Sequence, residues 1–407
     1  MERIHRPSRS TSSALGATFL AAGLFLGASA EAQEEPPDPA APKPATQFDF
    51  GLRAVTSING ASSYGSSEPV GSFDFSDTYA YARGRTQLFS PNNRAGALLA
   101  LTFPDQYYEP GTLLVAEANA FFESRWVTAR LGRGRNRSLI VPMPTLRDDD
   151  LIRWSDVLNP FSDGRSTADH QYVNTADATF WPTPRLFADV HVENLPNFIL
   201  RPETLAAYSI NSYGATLGYR QIPALARTSV VRKLGIGGNV YRLDLPTEEF
   251  GLDVLAGAWL NLLPDPVHGI DWRVQGIYNR GVPSLSIATL NDTFRAEQVS
   301  LVSSLGYSYR RQMLPTFRVN VIGAYKRYVR DGIDQFSMIA NAFYALGATT
   351  ELGIQYQFRS RPSAPEAFGD GFANSIKLAF VVALDTSTSP IFDERDSLLN
   401  TESGYLP

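Results

Sequence analysis

The stretch VSLVSSLGYSYR, residues 299–310, decides the fold class of this chain. Successive side chains of a β-strand point to opposite faces. The two faces of this stretch would differ in polarity, with Val299, Leu301, Leu305, Tyr307 and Tyr309 on one and Ser300, Ser304, Gly306, Ser308 and Arg310 on the other. The same alternation recurs in short segments throughout residues 48–385. It predicts an all-β fold, either a transmembrane barrel whose apolar face meets lipid or a soluble sandwich whose apolar face is buried.

The first residues of the chain have the composition of a secretory leader. Three arginines precede an uncharged, mostly apolar stretch over residues 10–30, which ends in Ala28-Ser29-Ala30. Small residues in this arrangement are typical of a signal-peptidase site. We therefore expect residues 1–30 to be a signal peptide, with Ala30 as the favoured cleavage position and Ala32 as the alternative.

Two absences in the rest of the sequence limit what an exported chain with this pattern can form. Beyond residue 30, no run of about 18 apolar residues occurs, so no transmembrane helix is predicted. A bilayer protein without such a helix has to close a barrel, because an open sheet edge leaves backbone groups unpaired in hydrocarbon. The chain contains 0 cysteines, which excludes disulfides and thiol-based metal or redox sites. We expect a transmembrane antiparallel up-and-down β-barrel in the bacterial outer membrane.

Composition divides the chain into four predicted parts. They are a signal peptide over residues 1–30, a Pro-rich periplasmic spacer over 31–47, an outer-membrane β-barrel over 48–385 and a C-terminal tail over 386–407. The barrel region holds about 16 candidate strands, within a range of about 14–18. Their predicted starts lie near Phe48, Thr78, Ala95, Leu113, Val127, Tyr172, Phe187, Leu205, Val230, Leu252, Asp271, Val299, Phe317, Phe336, Leu352 and Ile376.

The connections between these strands fall into two classes of length. If the first strand rises from the periplasm, the even-numbered links are short turns and the odd-numbered links are long extracellular loops, as in outer-membrane barrels. The short links are rich in Gly, Pro, Asn or Asp and cover residues 90–94, 182–185, 263–269, 312–315 and 347–350. The long ones include residues 57–72, 194–203, 279–293 and 359–372.

The longest stretch without alternation, residues 132–170, would be the third extracellular loop, and Leu131-Gly132-Arg133 stands at its start. In these features the chain resembles the trimeric general porins of Gram-negative bacteria. Those are sixteen-stranded barrels in which a long third loop, often entered through a Leu-Gly-Arg turn, folds into the lumen and narrows it. The resemblance implies the same loop placement and a homotrimer. The chain departs from that family by continuing to Pro407 instead of ending in an aromatic residue on the last strand.

The alternation also predicts which charged and amide side chains face the barrel interior. They are Arg83, Arg85, Arg130, Arg220, Arg310, Arg318, Lys326, Arg359, Glu117, Asp177, Asp253, Asp271, Gln355 and Gln357. Charged side chains on opposite walls of a pore set its ion preference. We expect a pore constriction in which arginines face loop aspartates, formed by Arg83, Arg85, Arg130, Asp149, Asp150 and Asp156; solvated charges without that role are the alternative.

The sequence gives little support for an enzyme, a cofactor or a nucleic-acid site. In Asp189-Val190-His191-Val192-Glu193 the imidazole and both carboxylates would share one face, an arrangement that can orient a base or hold a metal. No Gly-x-Ser-x-Gly nucleophile motif accompanies it. The formal net charge of −5 gives no reason to expect nucleic acid. We expect no catalytic, cofactor or metal site.

These observations predict an outer-membrane channel for passive diffusion of small hydrophilic solutes or ions. The expected partners are outer-membrane lipid, lipopolysaccharide and the solutes themselves. A non-transporting barrel that acts as an adhesin or structural anchor is the alternative, because the same alternation would build a barrel with a closed lumen.

Overall fold

The fold is known from a computed structural model of the chain. The structure describes residues 46–62, 70–74, 78–89, 93–102, 114–135, 140–141, 143, 172–196, 209–226, 228–243, 249–283, 295–311, 314–329, 332–347, 349–360 and 372–385. The predicted signal peptide, nearly all of the spacer and the C-terminal tail lie outside these residues, as do Asp149, Asp150 and Asp156.

The described residues form one sheet of antiparallel strands. Its strands are β1 (Thr46–Ser62), β2 (Val70–Asp74), β3 (Tyr79–Gln87), β4 (Arg94–Thr102), β5 (Leu114–Glu123), β6 (Val127–Arg135), β7 (Tyr172–Phe180), β8 (Leu186–Pro196), β9 (Ser209–Arg220), β10 (Val231–Leu243), β11 (Glu249–Pro264), β12 (His268–Pro283), β13 (Arg295–Arg311), β14 (Leu314–Tyr328), β15 (Ile333–Ala345), β16 (Thr350–Ser360) and β17 (Phe372–Asp385). From β3 to β17, each strand pairs with the strands next to it in the chain.

The sheet closes on itself as a barrel. β1 pairs with β17 in a register that runs from Gly51 opposite Asp385 to Ser62 opposite Asn374. β2 and β3 both pair with β1 and together occupy one position in the wall. The described strands therefore make a closed 16-strand antiparallel barrel, in agreement with the predicted fold class and strand number.

The two faces of the wall have opposite polarity. In β13 the side chains of Ser300 and Ser304 are buried, whereas those of Val299, Leu301 and Leu305 are exposed. The same alternation of buried and exposed residues runs through β8, β16 and β17, and in β3 buried residues alternate with partly buried ones. Exposed apolar side chains on most of the strands suit a hydrocarbon environment, and buried polar side chains on the opposite face line the interior. A soluble sandwich would have the reverse arrangement, so the structure excludes that alternative.

The predicted strand starts agree with the structure to within about four residues, the usual uncertainty of boundaries read from sequence. Some predicted loops are shorter than expected because the strands continue into them. β1 extends to Ser62, β8 to Pro196 and β12 to Pro283. The Leu-Gly-Arg motif is also displaced: residues 131–133 lie inside β6, which ends at Arg135, and not in a turn.

Gly132 explains why this motif interrupts the strand pattern. Its φ angle of 135° lies in a region that residues with a side chain rarely adopt. A Cβ at this position would also lie 2.3 Å from the carbonyl oxygen of Ala118 on β5. Glycine therefore permits a local irregularity within β6, which from sequence resembles the beginning of a loop.

Helical structure is minor in the described residues. A single turn, α1 (Pro223–Ala226), lies in the connection between β9 and β10. Among the helices that the structure describes, none has the length and hydropathy required to cross a bilayer.

Candidate functional site in the barrel interior

The interior face carries most of the polar residues predicted to point inward. Buried there are Arg83, Arg85, Arg310, Lys326, Glu117, Asp177, Asp253, Gln355 and Gln357, and partly buried are Arg130, Arg220, Arg318 and Asp271. The side chain of Arg359 is outside the described set. The period-two pattern therefore identified the orientation of these side chains correctly. It did not identify their partners.

Arg83 and Arg85 on β3 converge on one carboxylate. Arg83 donates from Nε to Oδ2 of Asp49 over 3.1 Å, and the Nε of Arg85 lies 3.3 Å from the same oxygen. Gln47 donates from Nε2 to the other oxygen, Oδ1, at 2.8 Å. Two guanidinium groups around one carboxylate leave a net positive charge among the three ionised groups. The structure thus brings these two predicted site residues together and adds Asp49.

Asp49 could have been found from the sequence. It stands between Phe48 and Phe50, whose side chains are exposed on the outer face. Alternation therefore places Asp49 inside, and the antiparallel register sets it opposite Arg83.

Arg130 on β6 lies apart from this group in the strand order and has a different partner. Its Nε donates to Oδ1 of Asp177 on β7 over 3.2 Å, and the two residues are directly opposite in the register. The expected facing of arginines and loop aspartates stays a prediction, because Asp149, Asp150 and Asp156 are outside the described residues. The contacts that the structure gives for these arginines are with carboxylates on neighbouring strands.

His191 on β8 forms a buried hydrogen-bonded array. Its Nδ1 lies 2.9 Å from Oδ1 of Asp189, and its Nε2 lies 2.7 Å from Oδ1 of Asn239 on β10. Thr179 donates from its hydroxyl to the other oxygen of Asp189 at 2.8 Å. The shared face of Asp189 and His191 is as the sequence predicted. Since both ring nitrogens have an oxygen partner, the array has the geometry of a structural polar network in the wall.

Gly214 on β9 makes the contact between β8 and β10 possible. A Cβ there would lie 1.9 Å from Oδ1 of Asn239 and 2.3 Å from Nε2 of His191. The absence of a side chain lets the imidazole reach across β9. In the part of the chain that the structure describes, no group of three or more His, Asp or Glu side chains is suited to hold a metal ion.

Three residues that follow β6 in sequence contact the opposite part of the interior. The backbone N–H groups of Ile140 and Val141 both donate to Oε1 of Gln275 on β12 at 2.8 Å. The side chains belong to a buried apolar cluster: Ile140, Val141, Met143, Leu255, Trp259, Ile277, Val302, Ile322, Ala324 and Ile339. We call residues 140–143 the anchor segment, of which 140, 141 and 143 are described.

Glycines on β10 and β11 provide room for the anchor segment. A Cβ at Gly235 would lie 2.7 Å from Cγ2 of Ile140, and one at Gly257 would lie 2.9 Å from Cγ2 of Val141. In the sequence, Gly235 and Gly257 are only small residues within two predicted strands. Their contact with residues about one hundred positions earlier could not be read from a local pattern.

Comparisons with known proteins agree with this geometry. No protein-family model and no curated protein matches the sequence. The fold is similar to that of the outer-membrane channel DcaP of Acinetobacter baumannii, with a TM-score of 0.59 at 13% identity over 84% of this chain and 97% of that one. It is also similar to an anion-selective porin from Comamonas acidovorans, with a TM-score of 0.58 at 11% identity over 84% of this chain and 100% of that one.

A third solved structure shows the same likeness. It is the trimer form of OmpT, an outer-membrane protein of Vibrio cholerae, with a TM-score of 0.53 at 8% identity over 84% of this chain and 100% of the other. The likeness extends over nearly the full length of each of these proteins, and it agrees with the closed barrel described above. This chain therefore has the fold of the outer-membrane porins.

Proposed function

We propose that this protein is an outer-membrane channel through which small hydrophilic solutes or ions diffuse passively. The observation that carries the proposal is the polarity of the closed wall. Its exposed face is apolar on strand after strand, while its interior face carries ion pairs such as Arg83 with Asp49 and Arg130 with Asp177. A lipid-facing exterior around a charged interior is the arrangement of a water-filled pore.

The arginines on β3 and β6 are the proposed constriction residues, together with Asp149, Asp150 and Asp156. Arg83 and Arg85 support this role because their buried side chains converge on Asp49 at the interior face of the wall. A fixed positive charge beside a narrow path raises the local concentration of anions. The anchor segment supports a path narrowed by the third loop, since residues 140, 141 and 143 contact the interior side of the wall.

Planar-bilayer recording of the purified, detergent-refolded mature chain tests the channel function. Stable open steps in single-channel current are the expected result, with heat-denatured chain as the control. A folded, β-rich barrel without conductance would overturn the proposal and favour the non-transporting anchor or adhesin. Reversal potential under a salt gradient then gives the sign of the ion preference.

Export and maturation are part of the same proposal. A barrel of this kind reaches the outer membrane only after export, and the segment before it has the composition of a leader. We expect the mature protein in an outer-membrane fraction to begin at Glu31. N-terminal sequencing gives the answer directly, and a mature chain that still begins at residue 1 would contradict the cleavage.

A homotrimer is the proposed assembly. The outer face of β3–β7 is rich in small side chains: Ala80, Ala82, Gly84, Ala95, Ala97, Ala118, Ala120, Ala129, Ala176 and Ala178. Small residues allow close approach of a second protein surface, whereas the opposite walls present larger aliphatic side chains to lipid. Light scattering of the refolded protein should give three copies per particle, and Ala97→Arg should reduce it to one. A single copy for the unmodified chain would contradict the assembly.

We further propose that the chain is not an enzyme. The most suggestive side chain, His191, has both ring nitrogens within hydrogen-bonding distance of Asp189 and Asn239. A general base needs a ring nitrogen directed at the substrate or nucleophile. His191→Gln should therefore leave channel activity intact, with an effect confined to stability.

A further inference from the structure

The interior wall of β10–β12 holds a group of cations around one indole ring. Trp259 on β11 lies opposite Lys233 on β10 and opposite Arg273 on β12 in the sheet register. The Cζ atom of Arg273 lies 3.9 Å from the centroid of the indole, and that of Arg232 lies 3.7 Å from it. Both guanidinium groups are thus close enough for a cation–π interaction with the same ring.

An irregularity of β10 brings the additional cation to this place. Consecutive side chains of a regular strand point to opposite faces, yet Arg232 and Lys233 are both buried, at 7% and 3% exposed. The register with β11 shifts between Val231 and Lys233, as at a β-bulge. Bulges re-aim side chains and are frequent next to functional sites. Here the register shift directs the guanidinium of Arg232 to the interior, beside the ammonium of Lys233.

Asp271 on β12 orients part of the group. Its Oδ2 accepts a hydrogen bond from Nε of Arg273 at 2.7 Å and one from Nε1 of Trp259 at 3.1 Å. Sharing one oxygen fixes the indole and the guanidinium relative to each other.

The chemistry of the group indicates what it would bind. A guanidinium stacks on an aromatic ring through its face, while its N–H donors lie in its plane in a fork that matches carboxylate and phosphate oxygens. A lysine ammonium adds a point charge that can approach an oxyanion from several directions. Two forks and an ammonium around a rigid indole form a preorganised receptor for a small oxyanion.

The group lies next to the anchor segment. Trp259 is two residues along β11 from Gly257, a separation of about 7 Å on the same face of a strand. At Gly257 the side chain of Val141 fills the space that a Cβ would occupy. A solute that passes along this wall beside the anchor segment therefore passes the cations as well.

We propose that Arg232, Lys233 and Arg273, arranged around Trp259, form a binding site inside the barrel for the carboxylate or phosphate group of a small solute. The inference deepens the proposed channel function and depends on it for the route of the solute to the site. It names the class of solute that the interior retains, and it assigns this role to residues outside the predicted constriction.

Tryptophan fluorescence tests binding without requiring conductance. The refolded chain is titrated with inorganic phosphate, and separately with acetate, while sodium chloride is adjusted to hold ionic strength constant. A saturable change in emission is expected. Arg232→Gln with Lys233→Gln should raise the Kd by about tenfold or more, the effect of losing charge-assisted hydrogen bonds. Trp259→Phe should remove the response, since it removes the reporting ring.

Lys326→Gln is the matched control, because Lys326 is also a buried interior cation but lies on β14. It should leave the Kd unchanged. The single change Lys233→Gln serves if the double variant does not refold, and it should raise the Kd in the same direction. An equal loss of affinity in Lys326→Gln would show a general charge effect and overturn the site, as would a flat titration of the unmodified chain.

Current recordings separate this proposal from the channel itself. If the refolded chain binds phosphate but carries no current, the site stands and the channel function fails. If it carries current but shows neither a phosphate-dependent fluorescence change nor brief phosphate-induced blockages, the channel stands and the site is wrong. Comparison of the phosphate and acetate titrations identifies which oxyanion the group prefers.

Discussion

Two opposite parts of the barrel wall fill the interior in different ways. On β3–β7 the strands have 9 or 10 residues. The interior ion pairs of this wall join strands that are paired in the sheet, as Arg130 on β6 joins Asp177 on β7. On β11–β15 the strands have 13–17 residues, and the interior carries an apolar cluster in contact with the anchor segment beside buried polar side chains such as Arg273 and Asn320. Ile140 lies 135 residues before its partner Gln275. The ion pairs of the short wall thus join adjacent strands, whereas the long wall also contacts a segment distant in sequence.

Because the two walls differ in this way, substitutions can test the effect of interior charge separately from the effect of pore shape. The short wall carries the arginines proposed for the constriction. The long wall carries the apolar surface that contacts the anchor segment, with the cations around Trp259 at its edge. Substitutions in the long wall should change the width of the pore, and substitutions in the short wall should change the ion preference of the channel.

The largest effect is expected at the anchor segment. Ile140→Asp places a carboxylate among Leu255, Ile277 and other apolar side chains, which costs more than the about 2–5 kcal/mol of truncating a buried isoleucine. We expect the segment to leave the wall and the conductance to rise. Hydrogen exchange of the amides at 140 and 141 reports the loss of their bonds to Gln275 directly. Ile140→Val is the control and should retain protection, and protected amides in the aspartate variant would show that the anchor does not depend on apolar packing.

The next effect concerns the ion preference of the short wall. Arg83→Glu combined with Arg85→Glu replaces two positive charges beside Asp49 with two negative ones. If the substitutions change the electrostatic energy of a passing ion by about 1 kcal/mol, the local concentration of that ion changes several-fold. The reversal potential should therefore shift toward cations. Arg94→Glu, at the exposed start of β4, is the control with the same kind of substitution. Equal reversal potentials for all three proteins would place Arg83 and Arg85 away from the constriction.

A smaller effect, on unfolding free energy, is expected when one glycine in each wall is replaced by alanine. Gly132→Ala on β6 combines a positive φ with a Cβ against the carbonyl of Ala118, and we expect a loss of about 1–3 kcal/mol in unfolding free energy. At Gly323 on β14 a Cβ would meet no atom within 4 Å, so Gly323→Ala should change stability by about 0.5 kcal/mol or less. Denaturant unfolding of the two refolded variants measures the difference. Equal midpoints would mean that β6 relaxes around the new methyl group.

The smallest effect lies outside the membrane span, in the turn between β11 and β12. The carboxylate of Asp265 accepts hydrogen bonds from the backbone N–H groups of His268 and Val267, which lower its pKa below the usual value. A lowered pKa in the folded state stabilises the fold above the pKa of the unfolded chain, and this contribution is lost as pH falls through the folded value. The unmodified chain should exceed Asp265→Asn in stability at pH 7 and match it at low pH. A difference that persists at low pH would have another cause.

The sequence predicted the barrel, its strand number and the orientation of its interior charges, because each depends on a period of two residues. It identified Arg83, Arg85 and Arg130 as interior residues for the same reason. It did not identify the anchor segment or the cations around Trp259. The anchor joins residues far apart in the chain, and the shift in β10 breaks the period itself, so alternation assigns Arg232 to the wrong face. Local patterns carry orientation, whereas partners depend on register and long-range packing.

The seam between β1 and β17 has a consequence for assembly. Because the first strand hydrogen-bonds to the last, the wall lacks its final ladder until the whole barrel sequence has been synthesised and exported. Pairing of segments so distant in the chain is slow, and an unpaired strand edge is open to aggregation in the meantime. The nascent chain therefore needs protection across the periplasm, and closure should be the late, cooperative step that makes the barrel resistant to denaturation.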